Sequence, residues 1–474
     1  MMAVKDYAPW RRAAEKSPRH FLRLLRRSLA RNKAIPQEVL NSLALTVIQT
    51  HPSSRVLRFL PRLVQTVAAE RGLQSAWNLV ASLEVALHHR KPTIGLYDNA
   101  AHYIGGAQKY GCTIASALQD DFDITLIANR PVARSQLENW YGLDLSRCRV
   151  KVIPIPYFEK KDRLRELIDA GEVDTSQENP FHLISLESGH YDLFINNCML
   201  EMVYPLANVS IFITHFPERG KSRFFYVKKY SQIVANSLYT ARWIRQKWDL
   251  NPHQHLYPPV DMEAPFVPQE KENIILSVSR FDPGGNKQQL KMIEVFQHIS
   301  RDQPEKLKGW RLAVVGGSIR DNPYLEKING HLSRNPSSAI ELRTNLPASD
   351  LKSLYQKAKI FWHFCGLGQT DPAKVEHFGM TVAEAMQNGC VPIAFRGGGQ
   401  MEIVEDTVSG FLFSTEKELA EKTLDLIGRP GFLGEMGQQA LERGKRFRRE
   451  VFVDAVQAYV RDLVRAGFSV SLES

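Results

Sequence analysis

From Lys91 onward the chain alternates short apolar runs with helix-length amphipathic stretches. The runs TIGLYDN, DITLIAN, RVKVIPI, DLFINN, VSIFITH and SQIVANS are apolar almost throughout, as strands covered on both faces are. A proline-rich, polar stretch without period, YPPVDMEAPFVPQEKEN at 257–273, interrupts the pattern and reads as a linker. The alternation then restarts. ENIILSVSR, RLAVVGG, AIELRTN, KIFWHF and VPIAF are expected strands, separated by the expected helices NKQQLKMIEVFQHIS, NPYLEKINGHLS, SDLKSLYQKA and TVAEAMQNG. The pattern predicts an α/β protein of two Rossmann-like, doubly wound units in tandem, with the cleft between them as the natural ligand site.

Before residue 91 the pattern is different. In RHFLRLLRRSLAR the apolar Phe21, Leu25 and Leu29 recur every fourth position opposite Arg19, Arg23, Arg26 and Arg27, which predicts helix with a basic face. The expected organisation is therefore a basic helical extension over 1–90, a first α/β domain over 91–257 and a linker over 258–272. A second α/β domain follows over 273–446, then an amphipathic helix, FRREVFVDAVQAYVRDLVRA, within 447–474.

Composition narrows the class. A chain of 474 residues is too long for one ordinary core and long enough for each unit to be stable without staples. The five cysteines, Cys112, Cys148, Cys198, Cys365 and Cys390, are scattered and never in a CxxC pair, so neither a disulfide framework nor a thiolate zinc site is indicated. A reducing, cytoplasmic setting is the default. No run approaches the roughly 18 to 20 apolar residues a membrane span requires. Net charge is +10, and residues 1–90, with 15 Lys/Arg against 5 Asp/Glu, carry all of it.

Three segments carry candidate chemistry. Gly105 and Gly106 open the helix AQKYGCTIASAL after the first strand, where bare backbone and free helix amides suit a phosphate; paired glycines can also serve only the turn. Arg280 and Lys287, in SVSRFDPGGNKQQ, leave the first strand of the second unit toward the cleft. There they can neutralise a diphosphate leaving group, or they are two solvated loop cations. In EHFGMTVAEAMQNGCVPIAFRGGGQMEIV, Glu376 is expected in a loop and Glu384 in the first turn of the next helix. The amides of Gly379, Met380 and Thr381 lie between them. Such a helix start attracts phosphate oxygens while carboxylates accept from sugar hydroxyls, and Gly397–Gly399 form a second bare turn that leaves room for phosphates. A helix-capping glutamate beside a surface glutamate is the plain alternative. An acid and base pair of a hydrolase fits poorly, because such a pair flanks one bond across a cleft.

Taken together, EHFGMTVAEAMQNGCVPIAFRGGGQMEIV and its trailing DTVSGFLF resemble the E-x7-E signature of the GT4 family of retaining, nucleotide-sugar-dependent glycosyltransferases, which have the GT-B fold. GGAQ, THFPE, VANSLYTARWI, LYPPVD and SVSRF follow in the family's order, so the resemblance spans roughly 92–464 and leaves out 1–90. It implies that Glu384 binds the donor's ribose and Glu376 the transferred sugar. It assigns the diphosphate to Arg280 and Lys287, though the PGG between them loosens the register of Lys287. It places Gly105 and Gly106 near diphosphate and acceptor, and gives His215 of FITHFPE a contact to the donor sugar near the reaction centre. It also implies no bound metal or other cofactor, and a final helix that braces the first domain.

The expected activity is transfer of a hexose-type sugar to a glycan, lipid-linked or protein acceptor. A nucleotide-sugar epimerase of the same fold and a non-catalytic sugar-nucleotide-binding protein are the alternatives. A glycogen-type phosphorylase would need a pyridoxal-phosphate lysine that no segment advertises. For residues 1–90 three readings stand: an arm packed on the first domain, a peripheral contact with an anionic membrane surface, or a contact with a protein or polymer acceptor. Nucleic acid is not expected, since no recognised motif accompanies the charge.

Overall fold

The computed structural model describes residues 91–155, 179, 181–198, 200–207, 209–217, 224–260 and 271–468. The expected extension over 1–90 lies outside them, as does most of the linker.

The first unit runs β1 (Thr93–Tyr97), α1 (Gly106–Leu118), β2 (Asp123–Ala128), α2 (Arg134–Tyr141), β3 (Arg149–Val152), α3 (His182–Ser188), β4 (Leu193–Asn196), β5 (Val209–Thr214), β6 (Gln232–Ala235), α4 (Leu238–Trp248) and β7 (Gln254–His255). Its seven strands lie in the order β3-β2-β1-β4-β5-β6-β7, all parallel. The continuous apolar strands are those covered on both faces; every residue of β5 is buried. Strand β3 stops at Val152, short of the expected VIPI. It is an edge strand, and Pro154 has no N–H to give a ladder.

The second unit runs β8 (Glu272–Val278), α5 (Gln289–Asp302), β9 (Arg311–Gly316), α6 (Pro323–Arg334), β10 (Ile340–Thr344), α7 (Ala348–Lys357), β11 (Ala358–His363), α8 (Met380–Gln387), β12 (Val391–Phe395), α9 (Gln400–Ile403), β13 (Phe411–Phe413), α10 (Glu416–Gly428) and α11 (Pro430–Gly444). Its six strands are ordered β10-β9-β8-β11-β12-β13, again all parallel. In both sheets the order reverses beside the first strand, so the crevices open at the carboxyl ends of β1 and β4 and of β8 and β11.

Helix α5 begins at Gln289, later than its apolar period suggests. The Asp282 carboxylate accepts from the amides of Gly284 and Asn286 and ties residues 282–286 into a loop. Gly285 and Gln288 take positive φ of 69° and 60° to leave it. Lys287 is thereby held in a turn between two left-handed residues.

The final helix, α12 (Arg449–Phe468), returns to the first unit. Phe452, Val456 and Val460 enter the apolar cluster that contains Tyr110, Ile114 and Leu118 of α1. Gln457 donates to the Ala117 carbonyl at 2.7 Å, and Arg461 pairs with Asp121 at 2.8 Å. A bridge between Val260 and Arg448 lies where the chain passes from one unit to the other. Together α12 and this bridge tie the units in two places.

Candidate functional site in the cleft

On the second unit the site is built on α8 and the loop before it. Gly379 caps this helix with φ 110°, a conformation that suits a residue without Cβ, and no side chain caps the amides that follow. Met380 and Thr381 are therefore the first helical residues, as expected. Glu384 is the fifth, one full turn in rather than in the first turn, and accepts from the Tyr355 hydroxyl at 2.8 Å. Tyr355 itself is fully buried.

Glu376 stands in the loop between strand β11 and α8. Lys287 Nζ lies 2.6 Å from its Oε2, and His363 Nε2 lies 3.3 Å from the same oxygen. Cys365 Sγ is 3.6 Å from Lys287 Nζ. Burial by itself would raise the Glu376 carboxyl, but Lys287 and then His363 outweigh it and hold the group well below the ordinary carboxylate range. Burial likewise works against the Lys287 ammonium, and the Glu376 charge more than offsets it, so its pKa lies above the usual lysine value. Burial pushes the Cys365 thiol up to about 12, which keeps it neutral beside that pair. The cluster is thus a lysine cation and a glutamate anion in a half-enclosed crevice with a neutral thiol against them.

Two of the three glycines after β12 make way for the protein's own backbone. A Cβ on Gly398, whose φ is 70°, would stand 2.0 Å from the Glu376 carbonyl oxygen, and one on Gly399 would stand 2.2 Å from that of His377. The Gly399 amide donates to the Glu376 carbonyl at 2.8 Å. The space at these two glycines is filled by the protein's own backbone, and the turn sets the height of the Glu376 loop.

The facing wall of the first unit holds its polar groups by hydrogen bonds. Gly105 precedes α1 with extended backbone, and its amide donates to the Tyr141 hydroxyl at 3.2 Å. Gly106 begins the helix, and a Cβ there would meet Met380 Sδ of the second unit at 2.9 Å, which places the two helix starts against each other. His215 follows β5 and donates from Nε2 to the Asn197 carbonyl at 3.1 Å, since a carbonyl only accepts. Burial lowers its pKa to about 4, so it is neutral at neutral pH. Asp98, at the end of β1, is 5% exposed and accepts from Ala100 N and Asn197 Nδ2, each at 2.8 Å. Burial raises its carboxyl above the ordinary value despite those bonds.

The walls also meet through polar contacts. Glu402 of α9 accepts from the amides of Leu238 and Tyr239 at 2.9 and 2.7 Å and so closes the start of α4 in the other unit. Ser237 donates to the His377 carbonyl at 2.7 Å, and the Phe216 and His377 rings stack 4.0 Å apart.

The structure therefore gathers Lys287, Glu376, Gly379, Met380 and Thr381 at one crevice, with Gly106 against Met380. Arg280 is exposed at the end of β8 and pairs with no acid among the described residues. Glu384 is held by Tyr355 rather than by the Lys287 cluster. Sequence reasoning did not single out His363, Tyr355, Asp98, Asn197 or Glu402. The place of His363, last in a parallel strand and so at its carboxyl end, was the available signal. Among the described residues no group of three His, Cys, Asp or Glu side chains is arranged to hold a metal ion, and no helix is long and apolar enough to cross a membrane.

Comparison with known proteins gives this geometry a context. Residues 261–443 match the family model described as glycosyl transferases group 1. Over 249 residues the chain is 27% identical to a "GDP-Man:Man(3)GlcNAc(2)-PP-Dol alpha-1,2-mannosyltransferase" of Dictyostelium discoideum, covering 49% of this chain and 47% of that protein. It is also 27% identical over 256 residues to an alpha-1,3/1,6-mannosyltransferase of Mus musculus, covering 49% of this chain and 59% of the relative. The chain thus spans about half the length of the curated relatives it matches. The structure superposes on Anabaena HepE in complex with UDP and glucose with a TM-score of 0.60 at 16% identity, covering 78% of this chain and 100% of that one. The fold is GT-B.

Proposed function

We propose that this GT-B chain, whose second unit matches the group 1 glycosyl transferases, moves a hexose-type sugar from a nucleotide-diphosphate sugar to a glycan, lipid-linked or protein acceptor, with retention at the anomeric carbon. The observation that carries the reading is the Lys287 and Glu376 pair, 2.6 Å apart beside the uncapped start of α8, with the first helix of the other unit against it. Cation, anion and free amides in one crevice suit a ligand that is both a phosphate anion and a polyol.

In this reading the donor's diphosphate lies against Arg280, Lys287 and the amides of Met380 and Thr381. Glu376 accepts from hydroxyls of the transferred sugar, Glu384 from those of the ribose, and neutral His215 contacts the sugar from the opposite wall. The acceptor oxygen forms its bond to the anomeric carbon as the bond from that carbon to the phosphate oxygen breaks. The acceptor proton passes to the leaving phosphate oxygen, so no enzyme carboxylate needs to become a nucleophile. Positioning and charge stabilisation carry the rate. With two cations and a helix start on the diphosphate, the reaction is proposed to need no metal, and activity lost in EDTA and restored by Mg²⁺ would oppose that.

The test is a panel of nucleotide sugars assayed by nucleoside-diphosphate release, with Glu384→Ala and Arg280→Ala as controls. One donor should stand out, and both variants should cut its turnover; release that neither alters would show the site to be elsewhere. The basic excess of residues 1–90 supports a peripheral contact with anionic lipid at the cytoplasmic face of a membrane. Deleting residues 1–90 should then weaken binding to anionic liposomes and spare donor hydrolysis.

A further inference from the structure

Two donors compete for one oxygen of Glu376. Lys287 Nζ sits at 2.6 Å from Oε2, while His363 Nε2 waits at 3.3 Å, the long end of hydrogen-bond distance. Glu376 Oε1 accepts from no described residue. His363 is 2% exposed, ends the central strand β11, and its Nδ1 finds no partner among the described residues. A buried ring with one nitrogen facing nothing is best accommodated with that nitrogen as the acceptor, which leaves the proton on Nε2 and aims the only N–H at Glu376.

Lys287 cannot serve two anions at full strength. A diphosphate arriving at the start of α8 carries more charge than the carboxylate and draws the flexible ammonium toward itself. Glu376 would then be left buried with its strongest partner gone. From this geometry we infer that His363 is a positioning residue that takes over Oε2 when the donor's diphosphate withdraws Lys287, so that Oε1 stays presented to a hydroxyl of the transferred sugar. The step is an exchange of hydrogen bonds, with no proton changing its owner. It rests on the reading of this crevice as a nucleotide-sugar site and assigns sugar recognition to a residue that touches no sugar.

Since the diphosphate withdraws Lys287 whether or not a sugar is attached, loss of His363 should weaken the free nucleoside diphosphate as well as the donor. The donor should weaken more, because only it brings a hydroxyl to Oε1. His363→Phe keeps a buried ring and removes the donor; His363→Gln keeps a donor. With the donor selected from the panel, His363→Phe should raise KM about tenfold or more, the loss expected for one hydrogen bond to a charged group. The inhibition constant of the matching free nucleoside diphosphate should rise by a clearly smaller factor, and saturable inhibition also shows that the variant is folded. His363→Gln should restore most of the loss, and in a Glu376→Ala background His363→Phe should add nothing.

Equal rises for sugar donor and free nucleoside diphosphate, an additive double variant, or an unchanged KM would each overturn the inference. Should the Phe variant fail to fold, a folded Gln variant with a tenfold higher KM would overturn it as well. These outcomes leave the broader reading standing whenever wild type turns over its donor; a wild type that releases nucleoside diphosphate from no donor overturns both.

Discussion

The two walls of the cleft hold their polar groups by opposite means. On the second unit, Lys287 and Glu376 are a charged pair at 2.6 Å, each having shifted the other toward its ionised form. On the first unit, His215 is neutral and Asp98 is biased toward protonation, both held by neutral amides and a backbone carbonyl. A wall of paired charges is stable only while every partner is present. A wall of hydrogen-bonded groups without a counter-charge tolerates loss of a partner better, but His215 in it fails when a proton forces a charge on it.

The largest expected effect breaks the charged wall. Lys287→Met keeps the aliphatic stem and strands Glu376 as a buried, unpaired carboxylate, which should cost about 4 kcal/mol in chemical denaturation of the second unit. The same pair sets a pH signature. Because the folded-state pKa of Glu376 lies well below its ordinary 4.5, its contribution is fully present above 4.5 and erodes as pH falls through the acid range below it. Lys287→Met should lose most of that dependence, and a variant that retains it would show that another carboxylate is responsible.

A smaller effect reaches Glu376 without touching a charge. Gly398→Ala places a Cβ 2.0 Å from the Glu376 carbonyl oxygen, at φ 70°, so the loop must move or the turn must strain. A cost of about 3 kcal/mol is expected, with turnover falling along with stability. Alanine at Gly309, also at positive φ but with nothing within 4 Å of its Cβ, is the control for backbone strain alone.

The first unit's wall should fail over a different pH window. His215 is lowered from 6.5 to about 4 by burial, so its contribution to stability is present above about 6.5 and lost as pH falls toward 4. His215→Gln should remove a loss of about 3 kcal/mol between those limits while leaving the Glu376 step below 4.5 in place. Urea titrations from pH 7 to pH 3.5 separate the two, and coincident transitions in wild type and variant would mean that His215 takes no part.

These walls were unequally legible in the sequence. Strand and helix periods gave both doubly wound sheets, because buried parallel strands are written as continuous apolar runs. Lys287 and Glu376 stood out as charges beside glycines at strand ends. His363 did not, since in KIFWHF one imidazole inside an aromatic run reads as core until Glu376 is seen beside it. Tyr355 was hidden for the same reason: in SDLKSLYQKA its ring fits an apolar helix face, and only its hydroxyl has a task. Gly398 and Gly399 were visible, but their carbonyl neighbours were not, because a missing Cβ can make way for the protein's own backbone as readily as for a ligand. Glu402 was unreadable, since its partners, the amides of Leu238 and Tyr239, lie 164 and 163 residues away.

The smallest effect sharpens the comparison within the charged wall. Glu384 shares the wall with Glu376 but has a neutral phenol as its partner, with Tyr355 donating to Oε2 at 2.8 Å. Burial first, and then the Glu384 charge, raise the Tyr355 pKa well above the ordinary value, so the phenol keeps its proton and remains a donor at any pH the fold survives. Tyr355→Phe removes one hydrogen bond and no charge, and the ring still fills the core between α7 and α8. It should cost about 1 kcal/mol of stability and raise the donor KM about fivefold. If Glu384 binds the ribose, the inhibition constant of the free nucleoside diphosphate should rise by the same factor, unlike the unequal rises expected for His363→Phe. An effect on the nucleotide sugar with none on the free nucleoside diphosphate would move Glu384 from the ribose to the transferred sugar, and the two glutamates would then share one task.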